Sequence, residues 1–165
     1  MPINTLHDLY VHEIKDLLDA NKQTKPIHQK MLGIASAASL KAALSDAVEG
    51  IENGVNALEK LRSRHDEGGV TSTCKGMQGL VREAEAHCIN ESFGDPSVRD
   101  ACIISQAQRM NHYALAGYGT AAAFAKALGH SDDVALLKSH LRHIHSGDER
   151  LTKIAEGGIN QDATD

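Results

Sequence analysis

The sequence predicts an all-α protein, four long helices packed as a bundle with one short additional helix. Three observations carry that expectation. Aromatic residues make up only 3% of the 165-residue chain, with no Trp, too few to fill the pleated faces of a sandwich or barrel. Alanine, a strong helix former, occurs 22 times. Apolar residues recur at three- and four-residue spacing through most of the chain, the period of an amphipathic helix.

Helix one starts at Asn4 or Thr5, either of which can cap it, with Asp8 in the first turn, where the helix dipole favours a carboxylate. Leu6, Leu9, Glu13, Leu17 and Ala20 form its stripe, and Pro26 is expected to kink or interrupt it. Helix two spans about Ser39 to His65 on a seam of Leu44, Val48, Ile51, Val55 and Leu58. Asp66-Glu67-Gly68-Gly69 breaks the pattern, and Val70 to Thr73 completes a loop. A shorter helix from Cys74 to Ser92 carries Met77, Leu80, Val81 and Ala84.

Asp95-Pro96 is a start signal, an N-cap followed by Pro at the first helical position. Helix four then runs to about Leu128 with Ile104, Gln108, Asn111, Leu115 and Tyr118 on one face, and Gly129 is its left-handed stop. Ser131 or Asp132 caps helix five, whose seam is Leu137, Leu141, Ile144, Asp148 and Leu151. Gly157-Gly158 ends it, leaving a polar tail over residues 157–165. No repeat or linker divides the chain, so one domain covers residues 1–165. Helices one and two pair, as do four and five, and the short third helix carries the chain between pairs. That is the topology of a ferritin-like four-helix bundle with an additional short crossover helix.

Charge and cysteine usage exclude several classes. The net charge is −5 and the pI near 6.0, which argues against a nucleic-acid partner tracked through phosphates. Cys74, Cys88 and Cys102 show neither CxxC nor Cys-His spacing, so they read as small core residues rather than a disulfide framework or zinc site. The longest apolar run, Ala121 to Ala125, is far too short for a membrane span, and the N-terminus lacks the charge and apolar pattern of a signal peptide. A soluble, cytoplasmic protein is expected. No phosphate loop, dinucleotide fingerprint or hydrolytic triad is visible, and no catalytic residue is assigned.

Chemistry in such a bundle comes from polar residues inside the seams. A dimetal-carboxylate centre draws Glu and Glu-x-x-His ligands from four helices, since residues three apart share a face. Helix two offers Glu49 and Glu52, which read either as inward ligands or as a solvated pair. Helix four offers His112 beside Asn111, and helix five offers His140, His143 and Asp148. Helix one offers Glu13 and Asp16. Asn111 reads as a buried hydrogen bonder, because a neutral amide is a poor metal ligand.

The stretch Leu9 to Leu17 resembles the LFxHELKDLY opening of the YciF/YciE-like bacterial stress proteins. Cys74 to Leu80 is similar to their C-x-x-M-x-G-L segment. Val98-Arg99-Asp100-Ala101, Gln108 to Tyr113 and Tyr118-Gly119-Thr120 resemble VRDAALI…AQKVEHYEIAxYGTL. Leu128-Gly129-His130, Asp148 and Leu151-Thr152 follow in the family's order. The resemblance covers essentially the whole chain and implies a ferritin-like bundle, a link to stress response and a dinuclear metal site. It also exposes departures from that site. The helix-one Glu is replaced by Asn21, the acids flanking His-Tyr by Asn111 and Ala114, and the helix-five LEEEKATD run by Leu141 to Asp148 with only its last acid kept. The Glu-x-x-His of helix two becomes Glu49 to Glu52.

The expectation is therefore a non-catalytic, stress-associated cytoplasmic protein with a degraded dimetal site, forming a homodimer and using no cofactor. The alternative is an iron-binding or di-iron-carboxylate oxidoreductase using Glu49, Glu52, His112, His143 and Asp148 as metal ligands. An unidentified protein partner belongs to a third reading, that of an interaction module. No membrane partner is expected.

Overall fold

A computed structural model describes residues 3–65 and 73–164. The expected break at Asp66-Glu67-Gly68-Gly69 and most of the loop after it lie outside the described residues.

Helix α1 (Leu6–Ile34) opens with a capping box, in which Asp8 N–H donates to the Thr5 hydroxyl and Thr5 N–H donates to the Asp8 carboxylate. Pro26 lies inside α1 without ending it. It is exposed while Ile27, His28 and Met31 are buried. Packing of the next turn keeps the helix going past it. The buried stripe runs through Tyr10, Ile14 and Leu17, placing Leu6 outside it at 38% exposure.

Helix α2 (Ala38–His65) follows a three-residue turn capped from afar. The buried Asp100 carboxylate accepts hydrogen bonds from Ser36 N–H at 2.8 Å and Ala37 N–H at 2.7 Å. Asp100 belongs to the Val-Arg-Asp-Ala stretch of helix four, so that motif welds the α1–α2 turn to the opposite helix pair.

Helix α3 (Lys75–Ala84) is capped by the Cys74 thiol, which accepts from Met77 N–H at 3.4 Å, and it continues as a π-turn over Glu85–Ile89. Helix α4 (Pro96–Ala127) starts on the Asp95 cap and stops at Gly129, whose φ of 78° is the left-handed conformation Gly adopts without strain. Helix α5 (Ser131–Ile154) has His130 at its N-cap position with no side-chain cap bond. The expected caps, Ser131 and Asp132, already sit in the first turn, because the Gly129 stop needs only one further residue to turn the chain. Past Ile154 the chain winds as a π-turn over Ala155–Ile159 and a short helix, α6 (Asn160–Asp162). Gly157 and Gly158 lie within that π-turn, and Ile159 is buried in the core beyond them.

Helices α1 and α2 pair, α4 and α5 pair, and the pairs face each other through α1–α4 and α2–α5 contacts. Helix α3 packs on α4 and α1. Two apolar clusters fill the bundle. One, around Met31, Leu44, Met77, Ile103 and Met110, lies toward the α1–α2 turn, and the other, around Tyr10, Leu17, Leu61, Tyr118 and Leu137, lies toward the opposite end. Among the described residues no strand occurs, and no helix is long and apolar enough to cross a membrane.

Candidate functional site

Where the two apolar clusters meet, the bundle holds a cavity of about 280 Å³ that opens to the surface past Asp46, His143 and Arg150. Four of the positions at which the resemblance implies an acid and this chain has none, Asn21, Asn111, Ala114 and Ile144, line it, while the retained acids Glu49 and Asp148 do not. Three of the polar groups on α1 there bond to carbonyls of their own helix, Asn21 also reaching Tyr118 Oη at 3.4 Å. Asn21 Nδ2 donates to Leu17 O at 2.8 Å, and Thr24 Oγ1 donates to Ala20 O at 2.8 Å. His28 Nδ1 lies 3.1 Å from Thr24 O. Burial presses the His28 pKa down to about 4, against a smaller upward pull from that hydrogen bond, so the ring is neutral at pH 7. Burial likewise raises the Tyr118 phenol and lowers the His140 imidazole, the latter with help from neighbouring His143.

Gly54 gives Asn21 and Tyr118 their room. A Cβ there would stand 2.8 Å from Tyr118 Oη and 3.2 Å from Asn21 Oδ1. Around this cavity the only carboxylate among the described lining residues is Asp46, and it pairs with Arg150. Two divalent ions need several carboxylates to balance their charge in a poorly solvated space. The lining does not fit a dinuclear carboxylate centre.

The five sequence-predicted ligands are distributed in three places. His112 Nε2 lies 3.0 Å from Asp148 Oδ2, and Asn111 Nδ2 donates to Asp148 Oδ1 at 3.3 Å. Asp148 is buried as its seam position implies, but His112 stands 67% exposed. Glu52 pairs with Lys25 of α1. Exposed Glu49 shares a groove between α2 and α5 with His143, whose ring occupies the space over Gly50. Of the five, His143 alone lines the central cavity. The helix-one acids lie elsewhere: Asp16 accepts from Tyr113 Oη at 3.0 Å, and burial foremost, with Asp16 nearby, raises the Glu13 pKa.

A different constellation closes one end of the bundle. His7 in the first turn of α1, His65 at the end of α2 and His130 between α4 and α5 meet there. Among the described residues, they form the group of His, Cys, Asp or Glu side chains whose potential ligand atoms lie within 4.8 Å of one another. The His65 and His130 rings are 4.6 Å apart, with His7 at 5.8 and 6.3 Å from them. Beneath them lies Asp133, its side chain 4% exposed. It accepts from Arg64 Nη1 at 2.9 Å and Tyr10 Oη at 3.1 Å, and lies 2.6 Å from His65 Nε2. Burial pushes the Asp133 carboxyl pKa upward, yet the hydrogen bonds from His65, Tyr10 and Arg64 outweigh it and hold the value below the usual range.

Sequence reasoning missed this cluster. The available signal was topological: because the crossover through α3 makes α2 and α4 run parallel, the start of α1, the end of α2 and the α4–α5 turn fall at one end of the bundle, and each carries a histidine.

Residues 5–164 match the model of a family described as a domain of unknown function, DUF892. Protein YciF of Escherichia coli strain K12 is 29% identical over 164 residues, which covers 99% of this chain and 98% of that protein. The crystal structure of that stress protein superposes with a TM-score of 0.87, covering 96% of this chain and 99% of the other. YcfI from Rhodopseudomonas palustris, also 29% identical, gives 0.83 over 91% of this chain and 94% of the other. The match spans nearly every residue, in the order of the motifs that suggested it, and the chain belongs to the DUF892 family.

Proposed function

We propose that this chain is a non-catalytic, stress-associated cytoplasmic protein in which the ferritin-like bundle persists as a scaffold and the central metal chemistry has been lost. One observation carries the reading. Four positions at which the resemblance implies an acid hold Asn21, Asn111, Ala114 and Ile144 around the central cavity, and an amide or alkyl group cannot balance the charge of two metal ions. The link to stress response rests on the likeness to the Escherichia coli stress protein YciF. The scaffold works as a homodimer through the outer faces of α1 and α2, and size-exclusion chromatography with light scattering at tens of micromolar checks that: a monomer mass contradicts it.

The test of the central reading is metal analysis of protein purified without chelator, followed by aerobic addition of ferrous iron. The expected result is no bound iron pair and no ferric absorbance band above that of buffer. Two irons per chain, together with a band abolished by Asp148→Asn or Glu49→Gln, would establish the oxidoreductase reading instead.

A further inference from the structure

We propose that His7, His65 and His130 form a binding site for one divalent transition-metal ion, of the zinc and cobalt class, at the end of the bundle remote from the α1–α2 turn.

Three features of the cluster point to a cation. The donors are three imidazoles from three separate parts of the fold, converging to within 4.8 Å. Imidazole is the ligand that zinc, cobalt, nickel and copper share, and three of them plus a water make a tetrahedral site with one open position. Second, His130 Nε2 is buried and has no hydrogen-bond partner. A buried ring nitrogen without a partner is uncommon, because its desolvation goes uncompensated. An ion among the three rings would supply the missing partner.

Third, the surroundings have the form that metal-bound histidines use. His65 directs Nε2 at Asp133, 2.6 Å away, which leaves Nδ1 as its ligand atom. A carboxylate on the far nitrogen fixes the ring's tautomer and orientation and strengthens the other nitrogen as a donor. Asp133 is itself held by Tyr10 and Arg64, so it acts as a brace rather than a ligand. Among the described residues, the acids Asp8, Asp132 and Asp133 outnumber the neighbouring cation Arg64. A cleft lined by His65, His130 and Asp132 gives an ion a path from solvent.

A metal–nitrogen length of about 2.0–2.1 Å sets tetrahedral nitrogens roughly 3.4 Å apart, so the rings need to draw together by roughly 1 Å on binding. The ion would then clip the start of α1 to the end of α2 and the start of α5. The site is independent of the central cavity and of the function proposed for it.

The experiment titrates Co²⁺ into the untagged, metal-free full chain, follows the visible absorption of the ion, and then adds Zn²⁺. The expected result is a saturable tetrahedral cobalt band at one ion per chain, displaced by Zn²⁺, with Zn²⁺ raising the melting temperature. His7→Ala and His130→Ala should each abolish the band and the thermal shift, while His112→Ala keeps both. His7 sits in the first turn of α1, outside the buried stripe, so its substitution leaves the fold intact and decides the matter even where His130→Ala folds poorly. Absence of the band in the native chain, or a band that survives His7→Ala, overturns the proposal. A band lost in His112→Ala instead would place the ion beside Asp148 and overturn it equally.

Discussion

The middle and the end of the bundle are both rich in polar side chains, yet they have opposite chemical capacity. In the middle, Asn21, Thr24 and His28 satisfy themselves on the carbonyls of their own helix. What remains facing the cavity is mostly apolar, and the one carboxylate among the described lining residues, Asp46, is paired with Arg150. At the end, Asp133 gathers Tyr10, Arg64 and His65, while His130 keeps a buried nitrogen without a partner. Chemical capacity follows unspent donors held in place by spent ones, and neither the number of polar residues nor their depth reports it.

The largest effect should come from the end. Asp133→Ala removes a buried carboxylate and strands three donors, which should cost about 3–4 kcal/mol by urea denaturation, in the range for breaking a buried charged network. A loss within experimental error of zero would show that the end is ordinary surface and remove the contrast.

A somewhat smaller effect tests the middle. The His28 imidazole titrates near 4 when folded and near 6.5 when exposed, so between those values the unfolded chain binds more protons. Stability from this group is full above about pH 6.5 and falls as pH drops toward 4, by on the order of 3 kcal/mol in total. Denaturation midpoints followed across that window should fall steeply in the native chain and more gently in His28→Gln. Parallel curves would mean that the ring is solvated and that water reaches the middle of the bundle.

Next in size is Gly54→Ala. Its methyl group would press on the hydroxyl of the fully buried Tyr118 at 2.8 Å, and the expected loss is about 2 kcal/mol. Gly50→Ala is the paired control, because the ring it meets belongs to exposed His143 and can swing away. Equal losses at the two positions would mean that buried Tyr118 gives way as readily as exposed His143.

The smallest effect belongs to the carboxylates that the spacing of helix two brought forward. Glu52 and Lys25 form a half-exposed pair, and such pairs contribute at most about 1 kcal/mol. The double change Glu49→Gln with Glu52→Gln should leave the melting temperature within a degree or so of the native value, with or without ferrous iron. A large iron-dependent drop would return these residues to a metal site.

The helices were legible because their start and stop signals are local. Asp95-Pro96 and Gly129 each act within a turn of chain, and the structure uses both. Pro26 does not interrupt α1, since whether a helix continues past a proline is decided by the packing of the turns on either side. The α1 stripe shifts by one residue, burying Tyr10 and Ile14 in place of Leu9 and Glu13 while keeping Leu17, and Leu6 stays 38% exposed.

The site divides in the same way. Loss of acids at Asn21, Asn111, Ala114 and Ile144 could be read by resemblance, and those positions do surround one cavity. The side-chain directions of Glu49, Glu52 and His112 could not, since a residue at a seam edge chooses between core and solvent by what its neighbours offer. Lys25 and Asp148 made those offers. His7, His65 and His130 are far apart in sequence, and each alone looks like an ordinary residue at a helix end.

The most direct test of the contrast between middle and end is anomalous X-ray diffraction from crystals of the full chain soaked in Zn²⁺, with data collected on both sides of the zinc absorption edge. The expected result is one anomalous peak per chain, between the rings of His7, His65 and His130, and none in the central cavity. A peak in the bundle middle near Asp148, His112 or Glu49, with none at the three histidines, would contradict it.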